Sequence, residues 1–370
     1  MPDKQQGALM QVSPSIHQTV FKPDVARARA TMAQCALYAP TPLITVKAPN
    51  GSGIYIKDET GRLGLGAFKG LGAIYAVAQL LAGLLGQQRR VLWPAMERLG
   101  DAENAALSGV TLVCASAGNH GMAVAKAAQI FGVRAKVFLP ESAPESFARR
   151  LAGLGAEAVI AGTTYEDACA AAANAAKAAK GNKVFLVADF SIANDETTPA
   201  LVMEGYQILA SELEQVFAGT GIWPTHVYLQ AGVGSFAAAT ARYIRLHWPM
   251  QPTIIIVEPD VAPCLRASAS AGRLTVVADP RASLMHRLDC KVPSSLAVDV
   301  LAHADVHYHT VSDEAAVRAV QALHGSGMVT TPSGAAGYAA ILSDVETGRL
   351  GGNDRPLCVV TEGAESAPCS

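Results

Sequence analysis

The sequence predicts an α/β protein of two domains, each with a mainly parallel sheet flanked by helices. Three observations carry this expectation. Short apolar runs alternate with alanine-rich stretches of helical length, the rhythm of strand–helix–strand units whose right-handed crossovers build parallel sheets. A chain of 370 residues is longer than one small core organises and suits two domains of ordinary size. Half of the residues are hydrophobic and only 16% are charged, a balance that suits well-buried cores and not a disordered chain.

The elements follow in order from Val110. Val110–Cys114 reads as a strand, because a nearly continuous apolar run of this length is what a parallel strand covered on both faces requires. Asn119–Phe131 reads as a helix, Ala135–Leu139 as a strand, Glu145–Leu154 as a helix, Ala158–Ile160 as a strand, Tyr165–Ala179 as a helix and Val184–Val187 as a strand. A helical region at Pro199–Phe217 leads into a second half with strands at His226–Leu229 and Thr253–Val257 and a closing strand at Leu357–Val360. Polar residues interrupt the apolar pattern near 87–90 and 193–198. These breaks divide the chain into a larger domain, 1–88 plus 198–370, and a smaller one, 89–197. There is no internal repeat and no low-complexity tract.

Charge and cysteine usage narrow the function classes. A formal net charge of -2 gives no electrostatic footprint for nucleic acid or an anionic membrane. The first eighteen residues lack the basic start and unbroken apolar stretch of a signal peptide, and no run is long enough to span a bilayer. The seven cysteines (Cys35, Cys114, Cys169, Cys264, Cys290, Cys358, Cys369) are scattered, odd in number and free of CxxC pairs, so neither a disulfide framework nor a metal site is expected. Cys114 and Cys358 sit inside apolar runs and read as small core residues. A reducing cytoplasm is the compartment this usage implies.

Ligands of open α/β sheets bind at the carboxyl ends of strands, and the informative segments lie there. Lys69 stands among glycine and apolar neighbours in Gly64-Leu65-Gly66-Ala67-Phe68-Lys69-Gly70-Leu71-Gly72, after the turn-prone Lys57–Arg62. It is either a snorkelling surface lysine or a covalent hook for an aldehyde. Ser116-Ala117-Gly118-Asn119-His120-Gly121 links a strand to a helix; small and amide residues there present backbone N–H groups to an anion, or Asn119 merely caps the helix. Gln230-Ala231-Gly232-Val233-Gly234-Ser235 opens another helix and can cradle a phosphate or serve only as a tight connection. It is neither GxGxxG with a following ribose-binding acid nor a Walker sequence, which disfavours nucleotides. Thr361-Glu362-Gly363 places a neutral hydroxyl after the closing strand. Asp189, past Val187, is a strand-end carboxylate that reads equally as an acid/base group or a loop cap.

Taken in order, the lysine, the asparagine loop, the glycine-rich cup and the terminal hydroxyl resemble the fold type II pyridoxal phosphate enzymes, the tryptophan synthase β-like family. The resemblance runs from Thr41-Pro42-Leu43 to Glu362 and includes Leu139-Pro140-Glu141 through Gly155-Ala156-Glu157. Within that family Leu63–Lys69, Gln230–Gly234, Pro332–Gly337 and Thr361–Gly363 are most similar to the diaminopropionate ammonia-lyases. One departure stands out. Those lyases read Asp-Gly-Asn-His-Gly where this chain has Ala117-Gly118-Asn119-His120-Gly121. That acid is associated with handling the D-isomer, an activity therefore not expected here. Ser-Ala-Gly-Asn-His is also how many serine and threonine dehydratases read.

The resemblance implies pyridoxal 5'-phosphate as cofactor and an amino acid as the small-molecule substrate. It makes the larger domain the cofactor-binding one and the smaller the substrate-side one. It also assigns roles. Lys69, next to Phe68, anchors the cofactor and serves as base at Cα; Gly232, Val233, Gly234 and Ser235 hold the phosphate; Asn119 meets the phenolic oxygen; Thr361 meets the pyridine nitrogen. Ser116, Ala117, Gly118 and His120 line the substrate carboxylate, His120 packing or capping rather than reacting. Asp189 becomes the candidate second acid/base. The implied reaction is α,β-elimination to a 2-oxo acid and ammonia, with dehydration of a 3-hydroxy amino acid as the alternative and a non-catalytic cofactor-binding relative as a third reading. A homodimer is the implied assembly.

Overall fold

The computed structural model of the chain describes residues 19–48, 51–86, 101–179, 183–191 and 196–364. The break expected near 87–90 and half of that near 193–198 lie outside these residues. The chain forms two compact units: one takes in the described parts of Met1–Lys22, Pro40–Gly61 and Leu209–Pro368, the other Pro23–Ala39 and the described parts of Arg62–Ile208.

The elements in chain order begin with α1 (Val25–Met32), β1 (Leu43–Lys47), β2 (Gly53–Asp58), α2 (Lys69–Leu84) and α3 (Asp101–Leu107). There follow β3 (Thr111–Ala115), α4 (Asn119–Phe131), β4 (Arg134–Leu139), α5 (Glu145–Gly153), β5 (Glu157–Ile160), α6 (Tyr165–Ala178) and β6 (Val184–Leu186). The long α7 (Thr197–Thr220) precedes β7 (His226–Gln230), α8 (Ser235–His247), β8 (Thr253–Pro259), α9 (Cys264–Ala271) and α10 (Ser295–Ala302). The chain closes with β9 (His307–Val311), α11 (Asp313–Gly325), α12 (Pro332–Glu346) and β10 (Pro356–Val360).

The unit containing Arg62–Ile208 is built on a four-stranded sheet, order β5-β4-β3-β6, parallel throughout. Its central β3 is buried at every position, as its unbroken Thr-Leu-Val-Cys-Ala run demands. α6 starts on a capping box in which Thr164 and Asp167 satisfy each other's backbone N–H groups. α2 is apolar nearly all round and correspondingly buried, packing on α4. Its backbone approaches the first half of α7 at Gly72 and Gly205: a Cβ on Gly205 would lie 2.5 Å from the Leu71 carbonyl oxygen. That contact fixes where the start of α2, and hence Lys69, stands.

The other unit carries a six-stranded sheet, order β1-β2-β10-β7-β8-β9. Its strands run parallel except for the antiparallel β1–β2 hairpin, registered Leu43↔Lys57 through Lys47↔Gly53. α12 lies on this sheet, its N-terminus capped by Thr331 with Pro332 at the first helical position. Lys57 Nζ, 2% exposed, is held by Glu212 Oε2 at 2.6 Å and the Thr41 carbonyl at 2.7 Å, so β2 carries a neutralised charge into the interior. Among the described residues Cys35, Cys114, Cys169, Cys264 and Cys358 are free thiols. Among the described residues no helix is long and apolar enough to cross a membrane.

Candidate active site

The residues singled out by the sequence fall into two sets, one in each unit; apart from Lys69, which opens α2, they lie past the carboxyl ends of strands. In the first set Lys69 is the opening residue of α2, with Phe68 at the cap position and no side-chain cap of its own. Lys69 Nζ lies 2.6 Å from Asp189 Oδ2, with the lysine side chain 22% and the aspartate 12% exposed. The ring centroids of Phe68 and Tyr206 lie 5.4 and 5.6 Å from Nζ, cation–π distances on a hydrocarbon wall. The two rings pack on each other at 4.9 Å.

His120 completes this cluster. Its Nε2 is 2.8 Å from the Val187 carbonyl, which can only accept, so Nε2 carries the hydrogen. Nδ1 is left facing Asp189 Oδ2 at 3.8 Å, beyond hydrogen-bond reach. Burial pushes the imidazole below its usual value, so it is neutral at physiological pH. For Lys69, burial works against the charge, but the Asp189 carboxylate and the Tyr206 hydroxyl outweigh it and lift the amine above its ordinary value. For Asp189, burial is likewise outweighed, and the carboxyl is held below the usual carboxylate range by His120 and Lys69. Since His120 is neutral near pH 7, the lysine ammonium is the group that holds Asp189 ionised there.

The asparagine loop lies past β3. Gly118, in extended conformation, occupies the cap position of α4 and Asn119 is the first helical residue, so the reading of Asn119 as the cap is not what the structure gives. Gly118 N–H donates to Ser116 Oγ at 3.2 Å, and a Cβ at Gly121 would stand 2.7 Å from the Ser116 carbonyl oxygen. The loop is thus folded tightly over the helix start. Ala117 is half-buried and offers only a methyl group.

In the second set β7 ends at Gln230 and the chain turns through Ala231–Gly234 into α8. Gly234 has φ +101°, a left-handed conformation that costs any residue with a Cβ. That Cβ would also meet Leu265 Cδ2 at 2.8 Å. At Gly232 a Cβ would fall 2.9 Å from both the Arg287 carbonyl oxygen and Cys290 Sγ. Val233 is pinned through its carbonyl, which accepts from Ser294 N–H at 2.9 Å. The first turn of α8, led by Ser235, has neither an acidic residue nor a side-chain cap, the arrangement in which backbone N–H groups serve an anion. Behind the cup, Glu258 is fully buried and accepts from Leu265 N–H at 2.7 Å and Arg266 N–H at 2.9 Å, tying down the helix that supplies Leu265. Burial pushes its carboxyl up to about 7.

Thr361 follows β10 and is 5% exposed; its Oγ1 lies 3.1 Å from Gln230 Nε2. The next residue, Glu362, accepts from Arg287 Nε at 2.8 Å and from the Thr331 hydroxyl. Arg287 therefore anchors the segment carrying Thr361 and lends its backbone to the wall of the glycine cup. Tyr206, Glu258, Glu362 and the side chain of Gln230 escape sequence reasoning. Tyr206 belongs to no local motif, Glu258 meets the start of the following helix seven and eight positions on, and Gln230 and Glu362 act through partners distant in sequence.

Each set by itself has donors that suit pyridoxal phosphate: in one unit a mostly buried primary amine for the aldehyde, and in the other an uncapped helix start behind two glycines that a Cβ would close and a hydroxyl at a strand end. The chain belongs to the pyridoxal-phosphate dependent enzyme family, whose profile it matches over residues 35–362. It is 33% identical over 301 residues to the diaminopropionate ammonia-lyase of Escherichia coli strain K12, covering 80% of this chain and 74% of that protein. To the human serine dehydratase-like protein it is 31% identical over 234 residues, covering 63% and 67%. Its fold matches the crystal structure of the Escherichia coli diaminopropionate ammonia lyase in complex with an aminoacrylate–PLP azomethine reaction intermediate at TM-score 0.79. That match has 26% identity over 97% of this chain and 95% of that one. With these relatives the chain is a pyridoxal-phosphate dependent lyase.

Proposed function

We propose that this enzyme eliminates the β-amine of L-2,3-diaminopropionate or a close analogue, giving a 2-oxo acid and ammonia. The observation that carries this reading is the 2.6 Å contact between Lys69 Nζ and Asp189 Oδ2 in a mostly buried setting. β-Elimination needs a base at Cα and an acid at the departing group, and here an amine and a carboxyl share one proton-transfer distance.

When bound, the cofactor supplies an electron sink for the charge that develops at Cα. The chain's own residues do the rest. Lys69 would anchor the cofactor and, with its amine free, take the Cα proton at Nζ. Asp189 Oδ2, 2.6 Å from Lys69 Nζ, can then accept that proton from the lysine and pass it to the leaving amine. Phe68 and Tyr206 give Lys69 Nζ an aromatic wall. His120 stays neutral and orients the Asp189 side by its bond to Val187. Asn119 would hold the phenolic oxygen, Gly232, Val233, Gly234 and Ser235 the phosphate, and Thr361 the ring nitrogen, without the full protonation an aspartate would impose. Ser116, Ala117 and Gly118 would face the substrate carboxylate. With Ala117 where an acid is expected, Lys69 is the Cα base, which favours the L-isomer. A cytoplasmic homodimer is the setting we assign, on the odd number and scattered spacing of the cysteines in the sequence and the general prevalence of two-fold assemblies.

The Ser-Ala-Gly-Asn-His loop and the likeness to the human serine dehydratase-like protein favour one second reading, dehydration of a 3-hydroxy amino acid. The two differ only in the leaving group. Measuring 2-oxo acid release from a panel of β-amino and β-hydroxy amino acids decides between them: turnover led by diaminopropionate is expected, and turnover confined to the hydroxy set removes the first reading.

A further inference from the structure

We propose that Gln230 is a positioning residue that fixes the direction of the Thr361 hydroxyl proton. The proposal rests on the reading above that Thr361 meets the cofactor's ring nitrogen. Gln230, the last residue of β7, is 2% exposed. Its Nε2 lies 2.9 Å from the Val359 carbonyl oxygen, 3.0 Å from that of Gly334, 3.4 Å from that of Ser333 and 3.1 Å from Thr361 Oγ1. Rotating the amide by half a turn would press Oε1 against three carbonyl oxygens. The surroundings therefore determine which end is nitrogen.

That assignment has a direct consequence for Thr361. An amide nitrogen has no lone pair to offer, so in this contact Gln230 donates and the threonine oxygen accepts. The hydroxyl proton of Thr361 is thereby excluded from Gln230 and left to donate elsewhere. Gln230 Oε1, buried and without a hydrogen-bond partner, lies on the side of Gly337, where a Cβ would come within 3.0 Å of it. A glycine on α12 leaves room for the one amide orientation that makes Thr361 a donor. With one lone pair of its oxygen taken by Gln230, the Thr361 hydroxyl is biased to offer its proton to the ring nitrogen, which then keeps its lone pair, so the ring stays unprotonated by the architecture of β7 and not by the threonine alone.

The test is nuclear magnetic resonance of the holoenzyme reconstituted with ring-15N pyridoxal phosphate. The wild-type resonance is expected at the position of unprotonated pyridine. Gln230→Met removes the donor and frees the hydroxyl to turn toward the Val359 or Gly334 carbonyl; Gln230→Glu offers it an acceptor. Both are expected to move the resonance toward pyridinium, and loss of one oriented hydrogen bond is expected to weaken cofactor binding roughly tenfold. Gln230→Met, which buries no charge, keeps the test available should Gln230→Glu not fold. Thr361→Val separates the two roles. If it shifts the resonance while both Gln230 variants leave it in place, the role of Gln230 is overturned and that of Thr361 stands. If Thr361→Val itself leaves it unmoved, Thr361 does not meet the ring and both are overturned.

Discussion

Replacing Asp189 by asparagine isolates the two opposing influences on Lys69. Burial alone depresses a lysine amine, and here the Asp189 carboxylate more than reverses the effect. The side-chain amide introduced by Asp189→Asn keeps the shape and loses the charge, so the main influence lifting the amine is removed and its value falls. Breaking a buried ion pair costs about 3–5 kcal/mol. With the lysine side chain 22% exposed the lower end applies, about 3 kcal/mol, which at about 1.4 kcal/mol per pH unit is a fall of about two units. The assay is the rate at which apoprotein captures pyridoxal phosphate, followed by absorbance across neutral to alkaline pH. Asp189→Asn should move the inflection of that rate about two units toward acid, so that capture near neutrality accelerates while turnover falls for want of the acid. An inflection that stays put, or moves toward alkali, refutes the account of the Lys69–Asp189 pair.

Three further outcomes follow from the geometry. Gly234→Ala combines a left-handed backbone, about 1–2 kcal/mol, with a Cβ forced onto Leu265, about 1–3 kcal/mol; fluorescence titration should show at least a tenfold loss of pyridoxal phosphate affinity, with a lowered Tm. Glu258 binds its proton more tightly in the folded chain, about 7 against the ordinary 4.5, so its contribution is full below the ordinary value and fades as pH rises toward 7. The shift amounts to about 3 kcal/mol, and Tm measured from acid to neutral pH should fall in the wild type and flatten in Glu258→Gln. Ala117→Asp restores the acid of the related lyases, and release of 2-oxo acid from D-2,3-diaminopropionate should appear or rise, measured against the L-isomer.

Much of this was legible in the chain because parallel strands covered on both faces leave nearly unbroken apolar runs. β3 and β10 are such runs, and the loops that follow them carry Ser116–Gly118 and Thr361. The pattern fails where only one face is covered. β9, an edge of the six-stranded sheet, alternates His307, Tyr308 and His309, and the β1–β2 hairpin mixes lysines and threonine with its apolar positions; neither announces itself as a strand. The site shows the same divide. Lys69, the asparagine loop and the glycine cup are local motifs. The partnership of Lys69 with Asp189, of Gln230 with Thr361 and of Arg287 with Glu362 spans 75 to 131 positions and exists only once the strands are assembled.

The most direct test of the central claim is the ratio of ammonia to 2-oxo acid released from L-2,3-diaminopropionate by the pyridoxal phosphate-loaded enzyme. Elimination of the β-amine followed by hydrolysis of the resulting imine yields two ammonia molecules for each pyruvate, and Lys69→Ala should yield neither. A lone ammonia per pyruvate, obtained only from serine or another hydroxy amino acid, or undiminished turnover in Lys69→Ala, would contradict it.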